Sequence, residues 1–260
     1  MNPTLKHRTI LITGASSGIG EEFARQLAAR GSNLVLVARR RDRLNALCSE
    51  LSGRFGIRAD SIQMDLLQEQ APDKLFQRCA RRGLPISILV NNAGIGGNSR
   101  FTDLSIKHET DVIRLNVLAL VKLTHLFLRS MIQRQDGGVI NVASTAGFQP
   151  LPFMATYAAT KAFVITFTEA IAREVTQYNV QVMTLCPGQT ETEFHDVNKT
   201  RKHAFSMSAK SVVRQALRAF ERGATLCIPG IGNKLMMFSE RLWPRSLLVG
   251  VAKKLYEPER

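Results

Sequence analysis

The stretch Thr13-Gly14-Ala15-Ser16-Ser17-Gly18-Ile19-Gly20 lies near the N-terminus and decides the fold. It follows a short apolar run, Thr9–Thr13, and opens a segment in which apolar residues recur at helical spacing. Glycines between a strand and a helix let the backbone approach a phosphate closely, and the helix N-terminus supplies free N–H groups and a positive dipole. The stretch therefore predicts a phosphate-binding strand–loop–helix unit. A plain tight turn is the alternative.

The same alternation of strand and helix continues along the chain. Further apolar runs of strand length occur at Asn33–Ala38, Ser61–Met64, Ile86–Asn91, Gly138–Ser144, Val180–Cys186 and Thr225–Ile228, with helical stretches between most of them. Continuous apolar strands that alternate with helices are typical of a parallel sheet covered on both faces. The sequence thus predicts an α/β protein with a Rossmann-type doubly wound parallel β-sheet of about seven strands and helices on both faces. Its ligand crevice would lie outside the carboxyl ends of the strands.

The length of 260 residues fits a single Rossmann-fold domain over residues 1–260. The polar segment from about 193 to 210 lacks periodicity and is predicted to be a substrate lid, with an ordinary surface loop as the alternative. Residues from about 231 to 260 are predicted to form a C-terminal helical extension, which Pro244 divides into two short helices. Its apolar and basic residues suit packing on a neighbouring subunit, a substrate wall or a membrane surface. We favour the first two.

Composition narrows the class of protein. Hydrophobic residues make up 45% of the chain and charged residues 22%, and we find neither an uninterrupted apolar run of about 20 residues nor the apolar core of a signal peptide. We therefore expect a cytoplasmic protein. The net charge of +14 favours anionic partners, but the basic residues are dispersed and no nucleic-acid motif is present, so we expect no nucleic-acid partner. The four cysteines are scattered, with neither a CxxC pair nor a histidine cluster, so we expect no disulfide and no metal site.

Five further motifs follow the glycine stretch in order: Asn91-Asn92-Ala93-Gly94 after the fourth strand, Asn116 in a long helix from about Lys107 to Gln133, Ser144 at the end of the fifth strand, Tyr157-Ala158-Ala159-Thr160-Lys161, and Pro187-Gly188-Gln189-Thr190-Glu191-Thr192 after the sixth. Together with TGxxxGxG at Thr13–Gly20, this set resembles the short-chain dehydrogenase/reductase family over roughly residues 8 to 230. The resemblance implies an oxidoreductase that interconverts a carbonyl and an alcohol by hydride transfer with a nicotinamide cofactor.

The residues themselves suggest how such chemistry would work. Tyr157 and Lys161 are four apart, so a helix places them on one face. A free phenol has a pKa near 10, and a neighbouring ammonium group is expected to lower the pKa of Tyr157 towards neutrality. The resemblance implies that Tyr157 is the proton donor, that Lys161 also holds the nicotinamide ribose, and that Ser144 binds the substrate oxygen. It implies that Asn116 helps to hold a water that resupplies the proton.

The end of the second strand indicates which cofactor is used. It reads Val37-Ala38-Arg39-Arg40, without the carboxylate that suits the ribose of NAD. A guanidinium pairs well with phosphate, so we predict NADP(H), with Arg39 as the primary contact to the 2′-phosphate, Arg40 as the secondary one and Ser16 as an additional donor. The resemblance implies further cofactor contacts from Gly14, Ser17, Gly18, Ile19, Gly20, Asp65, Leu66, Asn92, Ala93, Gly94, Pro187, Gly188, Thr190 and Thr192, besides Tyr157 and Lys161. Asp65 would also suit a helix N-cap.

The predicted substrate pocket is mostly apolar and comprises Ile95, Phe148, Phe153, Met154, Phe194 and Phe205. It favours a lipophilic ketone or aldehyde. A 3-oxoacyl thioester, carried by acyl-carrier protein or coenzyme A, is the alternative substrate, and a catalytically silent NADP-binding scaffold or sensor is the alternative function. The resemblance also implies a homo-oligomer, a dimer or tetramer, formed through outward apolar residues of two helices, with Leu118, Val121, Phe163 and Phe167 as candidates.

Overall fold

A seven-stranded sheet forms the centre of the computed structural model, which describes residues 5–194, 206–240 and 243–257. Its strands are β1 (Thr9–Thr13), β2 (Asn33–Ala38), β3 (Ala59–Gln63), β4 (Ile88–Asn91), β5 (Gly137–Val142), β6 (Val180–Leu185) and β9 (Leu226–Cys227). Two short strands, β7 (Thr190–Glu191) and β8 (Met207–Ser208), form a separate pair. The main sheet has the order β3-β2-β1-β4-β5-β6-β9, and its strands pair in parallel. The predicted doubly wound sheet of about seven strands is confirmed.

Helices connect successive strands and cover both faces. They are α1 (Gly18–Ala28), α2 (Arg41–Phe55), α3 (Ala71–Arg81), α4 (Ile106–Ile113), α5 (Leu120–Arg134), α6 (Ala155–Val175), α7 (Ala209–Glu221), α8 (Ile231–Glu240) and α9 (Arg245–Tyr256). The π-helical segment Arg114–Ala119 joins α4 to α5. The resulting run, Ile106–Arg134, is long enough to cross a membrane and, over its most apolar part, hydrophobic enough to do so. Its residues Leu123, Phe127 and Met131 are buried against the sheet, so in this fold it is a core helix.

The core forms two layers because side chains alternate along each strand. Ile10 and Ile12 of β1 face one layer, which contains Phe23 of α1 and Phe220 of α7. Leu11 faces the other layer, which contains residues of α3, α5 and α6. The four cysteines are buried with free thiols.

A chain of buried amides and hydroxyls ties the middle of the sheet to its helices. The Asn91 side-chain amide donates to Thr124 (3.0 Å) and to Asn141 (2.9 Å), and the Asn141 amide donates to Thr168 (3.0 Å). Buried polar groups are tolerated when they are paired in this way. These hydrogen bonds fix the carboxyl ends of β4 and β5 against α5 and α6, which is where the predicted site residues lie.

Several boundaries differ from the sequence expectation. Strand β5 ends at Val142, and Ser144 instead begins a 3-10 turn, Thr145–Phe148, in which its Oγ accepts a hydrogen bond from the Ala146 N–H (3.1 Å). Within the predicted lid, Met207–Ser208 pairs with β7 and α7 starts at Ala209. Residues 195–205 of the lid lie outside the described residues. The C-terminal segment forms the two helices α8 and α9, with Pro244 immediately before α9.

Candidate active site

A cleft of about 370 Å³ opens at the carboxyl ends of the strands. It lies where β1 and β4 are neighbours and the strand order reverses, which is the place where open α/β sheets bind ligands. The glycine loop lines one part, and Ser144, Tyr157 and several apolar side chains line another. Most of the predicted site residues therefore meet in one cleft.

The glycine loop has a conformation that other residues would disturb. Gly14 (φ 66°) and Gly18 (φ 57°) occupy the left-handed region. A Cβ at Gly20 would lie 2.3 Å from the Gly14 carbonyl oxygen and 2.5 Å from the Asn92 amide nitrogen. The Ser17 side chain at the start of α1 makes no capping hydrogen bond. The first-turn N–H groups of α1 are thus available to an anionic ligand.

Arg39 and Arg40 both line the cleft but have different surroundings. The Arg40 guanidinium donates to the Ser16 hydroxyl (3.1 Å) and carbonyl (3.2 Å), and it forms an ion pair with Glu193 (2.8 Å). Arg43 also pairs with Glu193 and, with Arg40, lowers the pKa of that carboxyl. We find no hydrogen bond or ion pair of the Arg39 guanidinium to any described residue. Among the described residues that line the cleft, Arg39 is therefore a cation available to an added phosphate.

Asp65 and Leu66 line the same part of the cleft, as expected. The expectation that Asp65 caps a helix is wrong, because α3 begins only at Ala71. Instead, the Asp65 carboxylate accepts a hydrogen bond from the Leu67 N–H (3.1 Å) and closes a turn. On the opposite side, the cleft is lined by the predicted residues Pro187, Gly188, Thr190 and Thr192.

Asn116 is buried in the π-helical segment, a deviation that is frequent at functional sites. Its amide donates to the Ile95 carbonyl (2.9 Å) and to the Thr160 hydroxyl (3.1 Å), and its Oδ1 accepts from the Ile95 N–H (3.0 Å). Both amide hydrogens are therefore used within the protein. Asn116 can hold a water only through the remaining lone pair of Oδ1, and its visible role is to position Ile95 and Thr160.

Tyr157, Ser144 and Lys161 meet at the floor of the cleft. The Ser144 hydroxyl lies near enough to the Tyr157 hydroxyl to lower its pKa, and Ser144 itself donates to the Pro187 carbonyl (3.5 Å). Lys161 is buried, and its Nζ lies 5.7 Å from the centre of the Tyr157 ring and donates to the Val142 carbonyl (2.9 Å). The phenol and the hydroxyl of Ser144 can thus approach the same ligand atom, with a cationic group beside them.

The structure corrects the expected pKa of Tyr157. Burial raises that pKa to about 12, and the neighbouring Ser144 hydroxyl lowers it by less. Burial also lowers the pKa of Lys161 to about 8. Lys161 lies beside the tyrosine ring and donates its hydrogen bond to the backbone, so burial dominates the pKa of Tyr157. With this pKa Tyr157 is a neutral phenol near pH 7, suited to donate a proton.

The apolar part of the cleft contains only some of the predicted pocket residues. Ile95, Met154 and Phe194 line it, and the Phe194 ring centre is 5.8 Å from that of Tyr157. Phe148 does not line the cleft, because its side chain packs against a core cluster that includes Val164. Phe153, with a φ of 67°, instead lines a neighbouring cavity of about 20 Å³. Phe205 lies outside the described residues.

Sequence reasoning missed Tyr256, which comes from the last turn of α9 and lines the cleft. It packs with Leu151 and Met154 around Ala252, so α9 supplies part of the substrate wall. The apolar character of the C-terminal segment indicated a wall in general terms. Nothing in the spacing of its residues indicated that Tyr256 reaches the cleft.

Comparison with known proteins agrees with this geometry. Residues 8–203 match the family model described as short chain dehydrogenase. A very-long-chain 3-oxoacyl-CoA reductase from Pyrenophora tritici-repentis is 36% identical over 194 residues, which cover 73% of this chain and 57% of that protein. The match therefore spans little more than half of that relative's length.

Two solved structures have the same fold over nearly the whole chain. A short-chain dehydrogenase from Sphingobium yanoikuyae in complex with NADPH has a TM-score of 0.83 and 31% identity, with 97% of this chain and 96% of that one covered. A bulky-bulky ketone specific alcohol dehydrogenase from Comamonas testosteroni has a TM-score of 0.78 and 31% identity, with 93% and 94% covered. The match to the family model, the ordered motifs and the cleft in which they meet place the chain in the short-chain dehydrogenase/reductase family of oxidoreductases.

Proposed function

We propose that the protein is an NADPH-dependent reductase of bulky, lipophilic ketones or aldehydes. The observation that carries this proposal is the juxtaposition of a neutral, buried Tyr157 hydroxyl with Ser144 and Lys161 in a cleft that also contains the glycine loop. A catalytically silent cofactor-binding scaffold would not need this set of groups. The geometry of Tyr157, Ser144 and Lys161 suits proton donation to a substrate and therefore favours an enzyme.

The residues present fit an NADPH molecule. The absence of a Cβ at Gly14 and Gly20 lets the glycine loop pack closely on Asn92 and Ala93, and the uncapped N-terminus of α1 lies at the cleft, where it suits a phosphate. The Arg39 guanidinium, which makes no hydrogen bond or ion pair to a described residue, suits a 2′-phosphate, and Ser16 lines the same cleft. When bound, NADPH supplies a hydride, with its electron pair, to the carbonyl carbon.

The protein's own groups act on the carbonyl oxygen. The Ser144 hydroxyl would donate a hydrogen bond to that oxygen and stabilise the negative charge that develops on it. The Tyr157 O–H bond would break, and its proton would pass to the same oxygen to give the alcohol. The phenolate that remains would lie close to the Lys161 ammonium, which stabilises its charge. Asn116 would hold Ile95 and Thr160 in place beside this centre.

The lipophilic substrate is supported by the lining of the cleft. Around Tyr157 the lining residues include Ile95, Leu151, Met154, Phe194 and Tyr256. Arg39 and Arg40, the arginines that line the described part of the cleft, lie at the glycine-loop end. No arginine is thus placed to hold a small carboxylate next to Ser144. The ketone specificity named for the Comamonas enzyme is consistent with this class of substrate.

A 3-oxoacyl thioester is the second candidate substrate. It is favoured by the name of the Pyrenophora relative and by the net charge of +14, which suits an anionic carrier. A panel of bulky aryl or steroid ketones and 3-oxoacyl-CoA esters, followed by the loss of NADPH absorbance, distinguishes the two. Preference for the thioesters by kcat/KM would replace the first substrate class with the second.

Replacing Tyr157 tests the proton donor. Tyr157→Phe should reduce turnover by at least about 10² to 10⁴, the usual contribution of general acid catalysis, and leave NADPH binding intact. Ser144→Ala should lower turnover with little effect on NADPH affinity. Steady-state rates beside a fluorescence titration with NADPH measure both quantities. A Tyr157→Phe enzyme that binds NADPH and reduces its substrate at the wild-type rate would refute this assignment.

The ionisation of Tyr157 can be measured directly in the ligand-free protein. With a pKa of about 12, only about one Tyr157 in a hundred would be ionised at pH 10. The absorbance of phenolate near 295 nm, recorded for wild type and Tyr157→Phe from pH 6 to 10, should therefore show no difference attributable to this residue. A difference with a midpoint near neutral pH would mean that Lys161 overrides burial after all.

The two arginines should differ in their effect on cofactor choice. Wild type should prefer NADPH to NADH by at least tenfold in kcat/KM, which corresponds to about 1.4 kcal/mol. Arg39→Ala should abolish most of this preference, whereas Arg40→Ala should reduce it less because Arg40 is already paired with Glu193. Kinetics with both cofactors provide the measurement. Retention of the full preference in Arg39→Ala would contradict the assignment.

We also propose that the protein forms a dimer or tetramer through α6 and the π-helical segment that leads into α5. Leu118 and Phe163 are exposed, and the Phe163 and Phe167 rings stack with centres 5.6 Å apart. Light scattering should give a multiple of 28.9 kDa at micromolar concentration, and Leu118→Glu should lower the mass. Leu235→Glu, on the exposed face of α8, is the matched control and should not. A monomeric wild type would disprove this arrangement.

A further inference from the structure

The two C-terminal helices expose apolar side chains at regular helical spacing. On α8 the exposed residues include Ile231, Leu235 and Phe238, and on α9 they are Leu247, Val251 and Leu255. Residues at spacings of three, four, seven or eight share one side of a helix. Each helix therefore carries an exposed apolar stripe. We call the two stripes, with Trp243 between the helices, the C-terminal face.

Each stripe contains a lysine. Lys234 is three residues after Ile231 on α8, and Lys254 is three residues after Val251 on α9, so each lies on the same side as its stripe. Both lysines are exposed. Residues 231–257 include five basic residues and two acidic residues: Lys234, Arg241, Arg245, Lys253 and Lys254 against Glu240 and Glu257. One carboxylate oxygen of Glu240 is buried. The C-terminal face thus combines apolar stripes with positive charge.

The opposite sides of these helices already have partners within the chain. Met237 of α8 is buried, and Ala252 and Tyr256 of α9 pack on Leu151 and Met154 beside the cleft. The substrate-wall role expected from the sequence is therefore filled by the inner side. The apolar stripes on the outer side of α8 and α9 face away from the cleft and do not contribute to the substrate wall.

A second copy of the chain is a poor occupant for this face. In a two-fold contact the same stripe meets its own copy. Lys234 and Lys254 would then be brought towards their counterparts, and the described end of the chain offers one exposed carboxylate, Glu257, against the three bases of α9, Arg245, Lys253 and Lys254. An anionic lipid bilayer satisfies both features, because the apolar stripes enter the boundary of the acyl chains and the lysines remain at the phosphates.

We propose that the C-terminal face docks the protein on an anionic lipid bilayer. Since α9 also supplies Tyr256 to the cleft, docking places the substrate wall next to the lipid. The docking itself does not depend on the proposed substrate or on turnover. Its failure would leave the reductase proposal unaffected.

Trp243 provides a direct readout, because it is the only tryptophan in the chain and is 51% exposed. On titration with phosphatidylglycerol/phosphatidylcholine vesicles its emission should shift to the blue, and brominated acyl chains should quench it. Pure phosphatidylcholine vesicles should bind at least about tenfold more weakly, and salt should weaken binding to the anionic vesicles. The full-length protein is used throughout.

Two variants and a matched control test which residues are responsible. Phe238→Asp, and separately the double variant Lys234→Glu/Lys254→Glu, should each weaken binding to anionic vesicles by about tenfold or more. Phe101→Asp alters a phenylalanine of similar exposure elsewhere (61% against 65% for Phe238) and should bind as wild type does. Circular dichroism confirms that each variant is folded.

Three results would overturn the proposal. The first is an unchanged Trp243 emission of the wild-type protein at excess anionic lipid. The second is equal affinity for anionic and zwitterionic vesicles, which would remove the role of the lysines. The third is a fall in oligomer mass on Phe238→Asp without any effect of vesicles on wild type, which would assign the face to a second copy of the chain.

Discussion

The hydrogen bonds between Thr13 and the turn after β4 join the two strands at which the sheet reverses its order. The Thr13 hydroxyl donates to the Val90 carbonyl (3.3 Å) and accepts from the N–H groups of Asn92 and Ala93 (3.0 Å each). The Asn92 side chain returns to the carbonyls of Thr13 (2.9 Å) and Gly14 (3.2 Å). These bonds hold the glycine loop against β4. The position of the cleft and of its lining residues depends on these hydrogen bonds.

The catalytic groups are fixed to the same frame from the other side. Asn91 and Asn141 connect β4 and β5 to α5 and α6, and Asn116 holds Ile95 to Thr160 of α6. Because Tyr157 and Lys161 lie on the first turns of α6, the phenol is positioned by hydrogen bonds that begin in the sheet. The amide nitrogens of this network are paired, and their hydrogen bonds set one geometry for the site, although the Asn91 Oδ1 is buried without a partner among the described residues.

Local motifs could be predicted from the sequence because their physics is local. A glycine loop between a strand and a helix, a tyrosine and a lysine four residues apart, and an arginine after β2 each constrain the structure within a few residues. The pKa of Tyr157 could not be predicted in this way, since it depends on how much surrounding protein excludes water from the hydroxyl. Phe148, Phe153 and Tyr256 show the same limit. Whether an aromatic side chain turns into the cleft or the core is decided by packing between distant segments.

Isotope transfer in a single turnover tests most directly whether the cleft carries out carbonyl reduction. The protein would be mixed with one equivalent of NADPH deuterated at both C4 positions of the nicotinamide and a bulky ketone in ordinary water, and the product analysed by mass spectrometry. We expect one deuterium on the carbinol carbon and a hydroxyl proton from the protein and solvent. An alcohol without carbon-bound deuterium, or bound NADPH that transfers no deuterium to any carbonyl of the panel, would contradict a reductase.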